Sequence, residues 1–315
     1  MSEEQVIQAV QQALLVDTQY KPIELRELLG RCFPPREMLL RPIIPASGLV
    51  MLYAPRGIGK THLALHMAYA MACGGDCLVW RAEKPRKVIY IDGEMSAATL
   101  QERLSRIAGS FPVAPAEGHF RVLAADLLPD GLPDLSDPVS WDLLWPFIKD
   151  AEAVVLDNLS SLCRYGRENE SESWVSMQGN LLRLRRAGLS VLMVHHAGKA
   201  GQQRGTSKRE DVLDTVIALR RSGDYQPQEG ARFEVHFEKA RGFYGEYAQP
   251  FEASLQIKDT GVQWTVTTLT NSKKAQAVQL FEQGMSVRDV AKEIIISPST
   301  AGRYRQEWKE GQKNS

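Results

Sequence analysis

The sequence predicts an α/β fold: a mainly parallel central sheet with antiparallel strands at one edge, followed by a small all-α unit at the C-terminus. Three observations predict it. Strand-like and helix-like segments alternate from residue 49 to about residue 194. Two of the strand-like segments, Ala153-Val-Val-Leu156 and Ser190-Val-Leu-Met-Val194, are unbroken apolar runs, as strands covered on both faces require. Beyond residue 212 the texture changes to shorter strand patterns split by Gly242, Gly245 and Gly261, and from residue 272 it becomes helical.

Composition sets the outer limits. A chain of 315 residues has a prior of roughly two domains and can bury a full core without staples. With 24% charged and 43% hydrophobic residues it is neither fibrous nor disordered, and 38 basic against 38 acidic side chains make any nucleic-acid contact a local one. Four scattered cysteines (Cys32, Cys73, Cys77, Cys163) are too few for a disulfide framework and are expected to be reduced. The N-terminus lacks the pattern of a signal peptide, and no run reaches the roughly 18 apolar residues of a membrane span. The expectation is a soluble, cytoplasmic protein.

The elements follow in order. Val6, Ile7, Val10 and Leu14 recur at helical spacing over residues 3–16, predicting a short amphipathic arm at 1–20. A proline-bearing stretch (Pro22, Pro34, Pro35, Pro42) leads to the first strand, Leu49-Val-Met-Leu-Tyr53. Helices are expected at about 60–73, 96–108, 141–150 and 172–187, and further strands at 87–91, 120–124, 232–238, 251–257 and 262–268. These fill a domain over 21–270. The unit at 272–315 has a helix from Ala275 to Phe281 closed by Gly284. Ser286 then caps a second helix with Asp289 in capping-box position, and Ser297 and Pro298 open a third.

The strongest chemical signal is Ala54-Pro55-Arg56-Gly57-Ile58-Gly59-Lys60-Thr61, with His62 following, set between a strand and a helix. Gly57 and Gly59 allow positive φ, which turns backbone N–H groups toward phosphate, and the helix start adds its dipole. Lys60 is positioned to reach β- and γ-phosphates, and the Thr61 hydroxyl to ligate Mg²⁺. The strict pattern opens with glycine where this chain has Ala54, a strand end at which a small residue suffices. Asp157, closing the apolar run from Ala153, is the matching carboxylate for Mg²⁺, unless it only starts a turn with Asn158. The segment Val88-Ile-Tyr-Ile-Asp-Gly-Glu94 ends in two carboxylates, of which Glu94 is the preferred group to polarise an attacking water and Asp92 the alternative. His62 and His66 are one turn apart but have no third ligand nearby, so a metal reading is not favoured.

This order of motifs, with a further strand ending Val194-His-His196, resembles the RecA-type ATPases, and among them the plasmid hexameric helicases of the RepA type, with DnaB-type helicases as relatives. The resemblance covers about residues 21–268. It implies a RecA-like fold, ATP and Mg²⁺ as ligands, and hydrolysis at the subunit interfaces of a ring around single-stranded DNA. It also implies that His196 senses the γ-phosphate, with His195 beside it, and that Lys239 and Arg241 of Lys239-Ala-Arg-Gly242 enter a neighbour's ATP site, unless they form a solvated basic edge. The loop bearing Lys199, Arg204, Lys208 and Arg209 matches the loop that lines such a channel, where cations neutralise phosphate. A loop over Ser160–Ser173 carries Arg164, Tyr165 and Arg167 but three glutamates as well, and is the weaker DNA candidate.

The terminal helices resemble the helix-turn-helix of resolvases and transposases, although Ile294, Ile295 and Ile296 stand at a turn that more often holds glycine. The third helix offers Ser299, Thr300, Arg303, Tyr304 and Arg305 to DNA. Residues 272–315 carry eight Lys or Arg against five Asp or Glu, which favours DNA over a protein-binding three-helix module. The expected whole is an ATP-hydrolysing, DNA-associated motor, a homo-oligomeric, hexameric helicase of a plasmid, phage or mobile element. The alternatives are an ATPase that loads replication proteins and an ATP-gated DNA-binding regulator.

Overall fold

The computed structural model describes residues 22–164, 170–197, 211–223 and 225–313. Contacts divide the chain into two compact units, residues 1–36 and 37–315. In the first, α1 (Leu25–Gly30) leaves Leu25, Leu28 and Leu29 exposed; the helix expected at 3–16 lies outside the described residues.

The second unit is built on nine strands: β3 (Leu49–Ala54), β6 (Val88–Asp92), β7 (Phe120–Ala124), β8 (Ala153–Asp157), β9 (Ser190–His196), β10 (Thr215–Arg220), β11 (Arg232–Ala240), β12 (Phe251–Lys258) and β13 (Gly261–Thr268). Their order is β13-β12-β11-β10-β3-β9-β8-β6-β7. The strands from β10 to β7 run parallel, and β10 to β13 form an antiparallel meander. Two hairpins of two or three residues per strand, β1 (Met38–Leu40) with β2 (Ile44–Pro45) and β4 (Asp76–Cys77) with β5 (Trp80–Arg81), stand apart from it.

The apolar runs are buried on both faces because successive side chains enter different cores. From β3, Val50, Leu52 and Ala54 join one cluster while Leu49, Met51 and Tyr53 join the other, and β8 and β9 divide in the same way. The first cluster is covered by α2 (Lys60–Cys73) and α3 (Ala97–Ala108), the second by α4 (Pro138–Ile148), α5 (Leu159–Leu162) and α6 (Glu170–Arg186). Every residue of α2 from Leu63 to Ala72 is buried, the signature of a helix that is apolar all round.

Sequence patterning misplaced several features here, and the loop expected over 160–173 begins in α5 and ends in α6. Strand β10 is absent from the expectation, although it joins the parallel and antiparallel halves, and α4 begins at Pro138, behind an Asp137 cap, rather than at Trp141. The terminal helices are α7 (Leu269–Glu282), α8 (Val287–Glu293) and α9 (Pro298–Lys313), with a small core of their own around Ala277, Phe281, Val290, Ile294, Ala301 and Tyr304. The expected caps are present, Ser286 accepting from the Asp289 N–H and Ser297 from the Thr300 N–H. The isoleucine triplet has a simple logic: Ile294 is buried and Ile296 packs on the core, while Ile295, 81% exposed, turns outward at φ 52°, the left-handed geometry a glycine would adopt more easily. Tyr304, expected on the DNA face, is instead a core residue, because α9 needs an apolar ring there against α7 and α8. Among the described residues no helix is long and apolar enough to cross a membrane.

Candidate functional site

Parallel strands bring their C-terminal ends to one edge of the sheet, and this edge gathers most of the residues singled out from the sequence. Ala54 pairs with His196 across β3 and β9, and Asp92 pairs with Asp157 across β6 and β8. A cavity of about 960 Å³ opens there, lined by Arg56, Gly57, Gly59, Lys60, Thr61 and His62 on one side and by Asp92, Glu94, Asp157, Asn158 and His196 on the other. Its far wall carries Thr99 and Arg103 from α3 and Leu255 and Ile257 from β12.

The loop after β3 has the backbone its glycines permit, with φ 72° at Gly57 and 113° at Gly59. A side chain on Gly59 would also meet the Ala231 Cβ at 2.8 Å, so this position is closed to other residues twice over. Ile58 anchors the loop in the core. Lys60 is buried, and its Nζ donates to the carbonyls of Ala54 (2.9 Å) and Pro55 (2.7 Å). Burial lowers its pKa to about 8, against the opposing pull of Asp157 and Glu94.

Asp157 lies at the bottom of the site, and burial raises its pKa while hydrogen bonds from Tyr90 and Thr61 and the charge of Lys60 oppose the rise. The Tyr90 hydroxyl donates to it at 2.6 Å. The Thr61 hydroxyl and an Asp157 carboxylate oxygen thus meet beside Lys60, a hard donor pair that suits Mg²⁺, which keeps most of its waters and takes only one or two protein oxygens.

The two carboxylates after β6 have different surroundings. Asp92 is 1% exposed, and its Oδ1 accepts the backbone N–H groups of Glu94 (3.1 Å) and Met95 (2.7 Å); burial pushes its pKa up to about 6. Glu94 projects into the cavity, where it accepts a hydrogen bond from the Asn158 amide and lies 3.8 Å from His196 Nε2. Burial, more than the nearby Lys60, lowers the pKa of His196. Gly93 between the two is required for clearance: a Cβ there would sit 2.6 Å from Ser161 Oγ and 2.8 Å from a Leu162 methyl.

Tyr90 and Asn158 escaped sequence reasoning as site residues. A tyrosine inside a strand buried on both faces is the signal for the first, since its hydroxyl needs a partner. His62 stands in the wall with its pKa pushed down to about 4, first by burial and then by Arg103 and Arg106, and His66 accepts from Trp264 Nε1 at 3.2 Å. Among the described residues no group of three or more His, Cys, Asp or Glu forms a metal cluster.

Other residues singled out from the sequence lie elsewhere. Lys239 is on β11, and Arg241 just beyond it donates from its guanidinium to the Asp211 carbonyl at 2.7 Å; neither lines the cavity. Lys199, Arg204, Lys208 and Arg209 lie outside the described residues, as do Tyr165 and Arg167, while Arg164 bonds to the Leu132 carbonyl. On α9, Ser299 and Arg303 are exposed one turn apart, and the hydroxyls of Ser299 and Thr300 bond to Ser297. Arg305 lies elsewhere, 5.8 Å from the Phe281 ring centroid.

The model of the AAA domain family matches residues 18–202, and that of the homeodomain-like domain matches residues 268–313. Among solved structures, a KaiC-like protein of the archaeon Pyrococcus horikoshii is 15% identical, with 71% of this chain and 93% of that chain covered and a TM-score of 0.49. With more than half of its length matched, and with a phosphate-binding loop on a mainly parallel sheet, the chain belongs to the AAA domain family and carries a homeodomain-like helix-turn-helix at its C-terminal end.

Proposed function

We propose that the chain is an ATP-hydrolysing, DNA-associated motor that works as a homo-oligomer, in the manner of the hexameric helicases of plasmids, phages and mobile elements. The observation that carries this reading is the convergence of Lys60, Thr61, Asp157, Glu94 and His196 on one cavity while Lys239 and Arg241 stand outside it. The first five supply phosphate binding, metal ligation, a base and a γ-phosphate contact. A cation that completes the transition-state charge would then come from a second copy.

In this scheme the loop from Ala54 to His62 wraps the phosphates with backbone N–H groups, and Lys60 leaves the carbonyls of Ala54 and Pro55 to meet them. Thr61 and Asp157 would hold Mg²⁺, which when bound would supply positive charge for the phosphates, and Tyr90 fixes the orientation of the Asp157 carboxylate. Glu94 takes the proton of the attacking water once Asn158 releases it, and His196 reports the state of the γ-phosphate. The cations of 199–209 contact single-stranded DNA, and Ser299, Thr300 and Arg303 contact duplex DNA.

Strand displacement measured beside single-strand-stimulated ATPase tests the reading. Unwinding that requires hydrolysis supports it; stimulated ATPase without displacement would make the chain a loader. A second reading, an ATP-gated DNA-binding regulator, is favoured by the packing of α7 on β12 and β13, next to the nucleotide cavity.

Burial of Lys60 makes nucleotide binding pH-dependent. Its free-state pKa of about 8 lies below the ordinary 10.5, and phosphate binding raises it again. Below pH 8 the lysine is charged in both states and contributes no dependence. Above pH 8 the free protein must take up a proton to bind, so affinity is expected to fall by up to about tenfold per pH unit toward the bound-state pKa. Calorimetry of ATP binding at pH 9, in two buffers of different ionisation enthalpy, reads the uptake directly. Equal heats in the two buffers would refute it.

A further inference from the structure

The stretch between β10 and β11 separates two cavities. One is the nucleotide cavity; the other, of about 660 Å³, lies between the sheet edge and the terminal helices, and Glu229 lines both. We propose that residues 221–223 and 225–232 relay nucleotide occupancy to the helix-turn-helix, so that nucleotide and duplex DNA bind as coupled ligands. The inference rests on the ATP-site reading above and adds to it a route by which the site is regulated.

The nucleotide face of this stretch touches the phosphate loop itself. The Arg221 guanidinium lies 4.0 Å from where a Cβ on Gly57 would sit, and it stacks 4.4 Å above the Tyr225 ring. Tyr225 lines the nucleotide cavity and donates to the Gly230 carbonyl at 3.0 Å, and Ala231 closes against Gly59. Any movement of the loop at Gly59 on binding phosphate is therefore a movement against Ala231.

The opposite face is tied to the sheet edge and to α8. Arg232 bridges Glu229 (2.8 Å) and Glu252 (3.1 Å), and Ser222 donates to Glu252 at 2.5 Å. Glu252 is only 9% exposed, so its pair with Arg232 is held with little solvent screening, while Glu229 lies at the exposed end of the triad. A Cβ on Gly223 would come 3.8 Å from the Glu293 carbonyl at the end of α8, and the cavity beyond is walled by Gln276, Gln279, Gln283 and Ile294. Gln276 and Gln279 come from α7, Gln283 follows its last residue and Ile294 follows the last residue of α8, and these two helices support α9 in the core of the unit. A polar cleft there lets the helices shift without breaking an apolar seal, unlike a close-packed interface. The stretch thus runs from Ala231, packed against Gly59, to Gly223 beside the Glu293 carbonyl, and the equilibrium position of the helices depends on the state of the loop. By linkage the reverse also holds, and coupling of this kind is typically about 5- to 150-fold in affinity.

Hydrogen exchange on the full chain, with and without a non-hydrolysable ATP analogue and Mg²⁺, tests the relay. The expected result is slower exchange at 54–62, together with a change of about fivefold or more at 276–283 and 287–294. In Arg232→Met the first effect should persist and the second should disappear. A random-sequence duplex should show the same factor in its affinity between the two nucleotide states. Slowing at 54–62 with no change at 276–294 in the wild-type chain overturns the relay and leaves the nucleotide site standing, as does a duplex affinity, or a lack of binding, that is the same in both states. No slowing at 54–62 removes the nucleotide site, and the relay with it.

Discussion

Glu94→Gln is expected to lower ATP turnover by about 10²- to 10⁴-fold while leaving ATP binding intact, because the substitution keeps size and hydrogen bonding but removes the proposed base. The geometry separates Glu94 sharply from its rival. Asp92 spends one carboxylate oxygen on two backbone N–H groups and is sealed from solvent, so its work is to shape the turn that presents Glu94. Glu94 is poised in the cavity between Asn158 and His196. Asp92→Asn keeps an acceptor for both N–H groups and should retain most of the turnover. Single-turnover hydrolysis and equilibrium binding of a fluorescent ATP analogue, measured on both variants, check the assignment. Full turnover in Glu94→Gln with none in Asp92→Asn would reverse the two roles.

Arg241→Ala is expected to bind ATP and yet hydrolyse it about 10³-fold more slowly or worse, the typical loss when an arginine supplied in trans is removed. Among the described residues the guanidinium is held by the Asp211 carbonyl, and it lies outside the nucleotide cavity, so its loss should cost little stability. Mixing supplies the decisive measurement. Lys60→Ala subunits lack the phosphate-loop lysine but keep Arg241, and Arg241→Ala subunits have the converse defect. A ring containing both has some interfaces with an intact loop facing an intact arginine, and activity should partly return there. A chain that stays monomeric with ATP and DNA, with activity independent of concentration, would defeat the trans arrangement.

Much of this site was legible in the sequence for a local reason. The loop from Ala54 to Thr61 is one continuous segment whose glycines, lysine and hydroxyl act within eight residues, and the flanking strand and helix announce themselves by periodicity. The caps at Ser286 and Ser297 are equally local, each bonding three residues ahead. Strands β3, β8 and β9 were recognisable because burial on both faces demands an unbroken apolar run.

Tertiary structure decided what joins distant segments. The sequence alone determined an α/β chain with a phosphate loop, two carboxylate-tipped strands and a helical tail. Which strand lies beside which was decided by pairing, with Thr215–Arg220 inserted between β3 and β11. From that order came the bond from Tyr90 to Asp157, 67 residues away, and the hold of Asn158 on Glu94, 64 residues away. It also decided that Tyr304 turns into a core, that Ile295 takes a left-handed backbone, and that one short connection lies between the phosphate loop and the end of α8. Backbone preference and amphipathic period act over a few residues. Contacts across sixty or more depend on which faces bury the most apolar surface together, a property of the assembled chain and of no single segment.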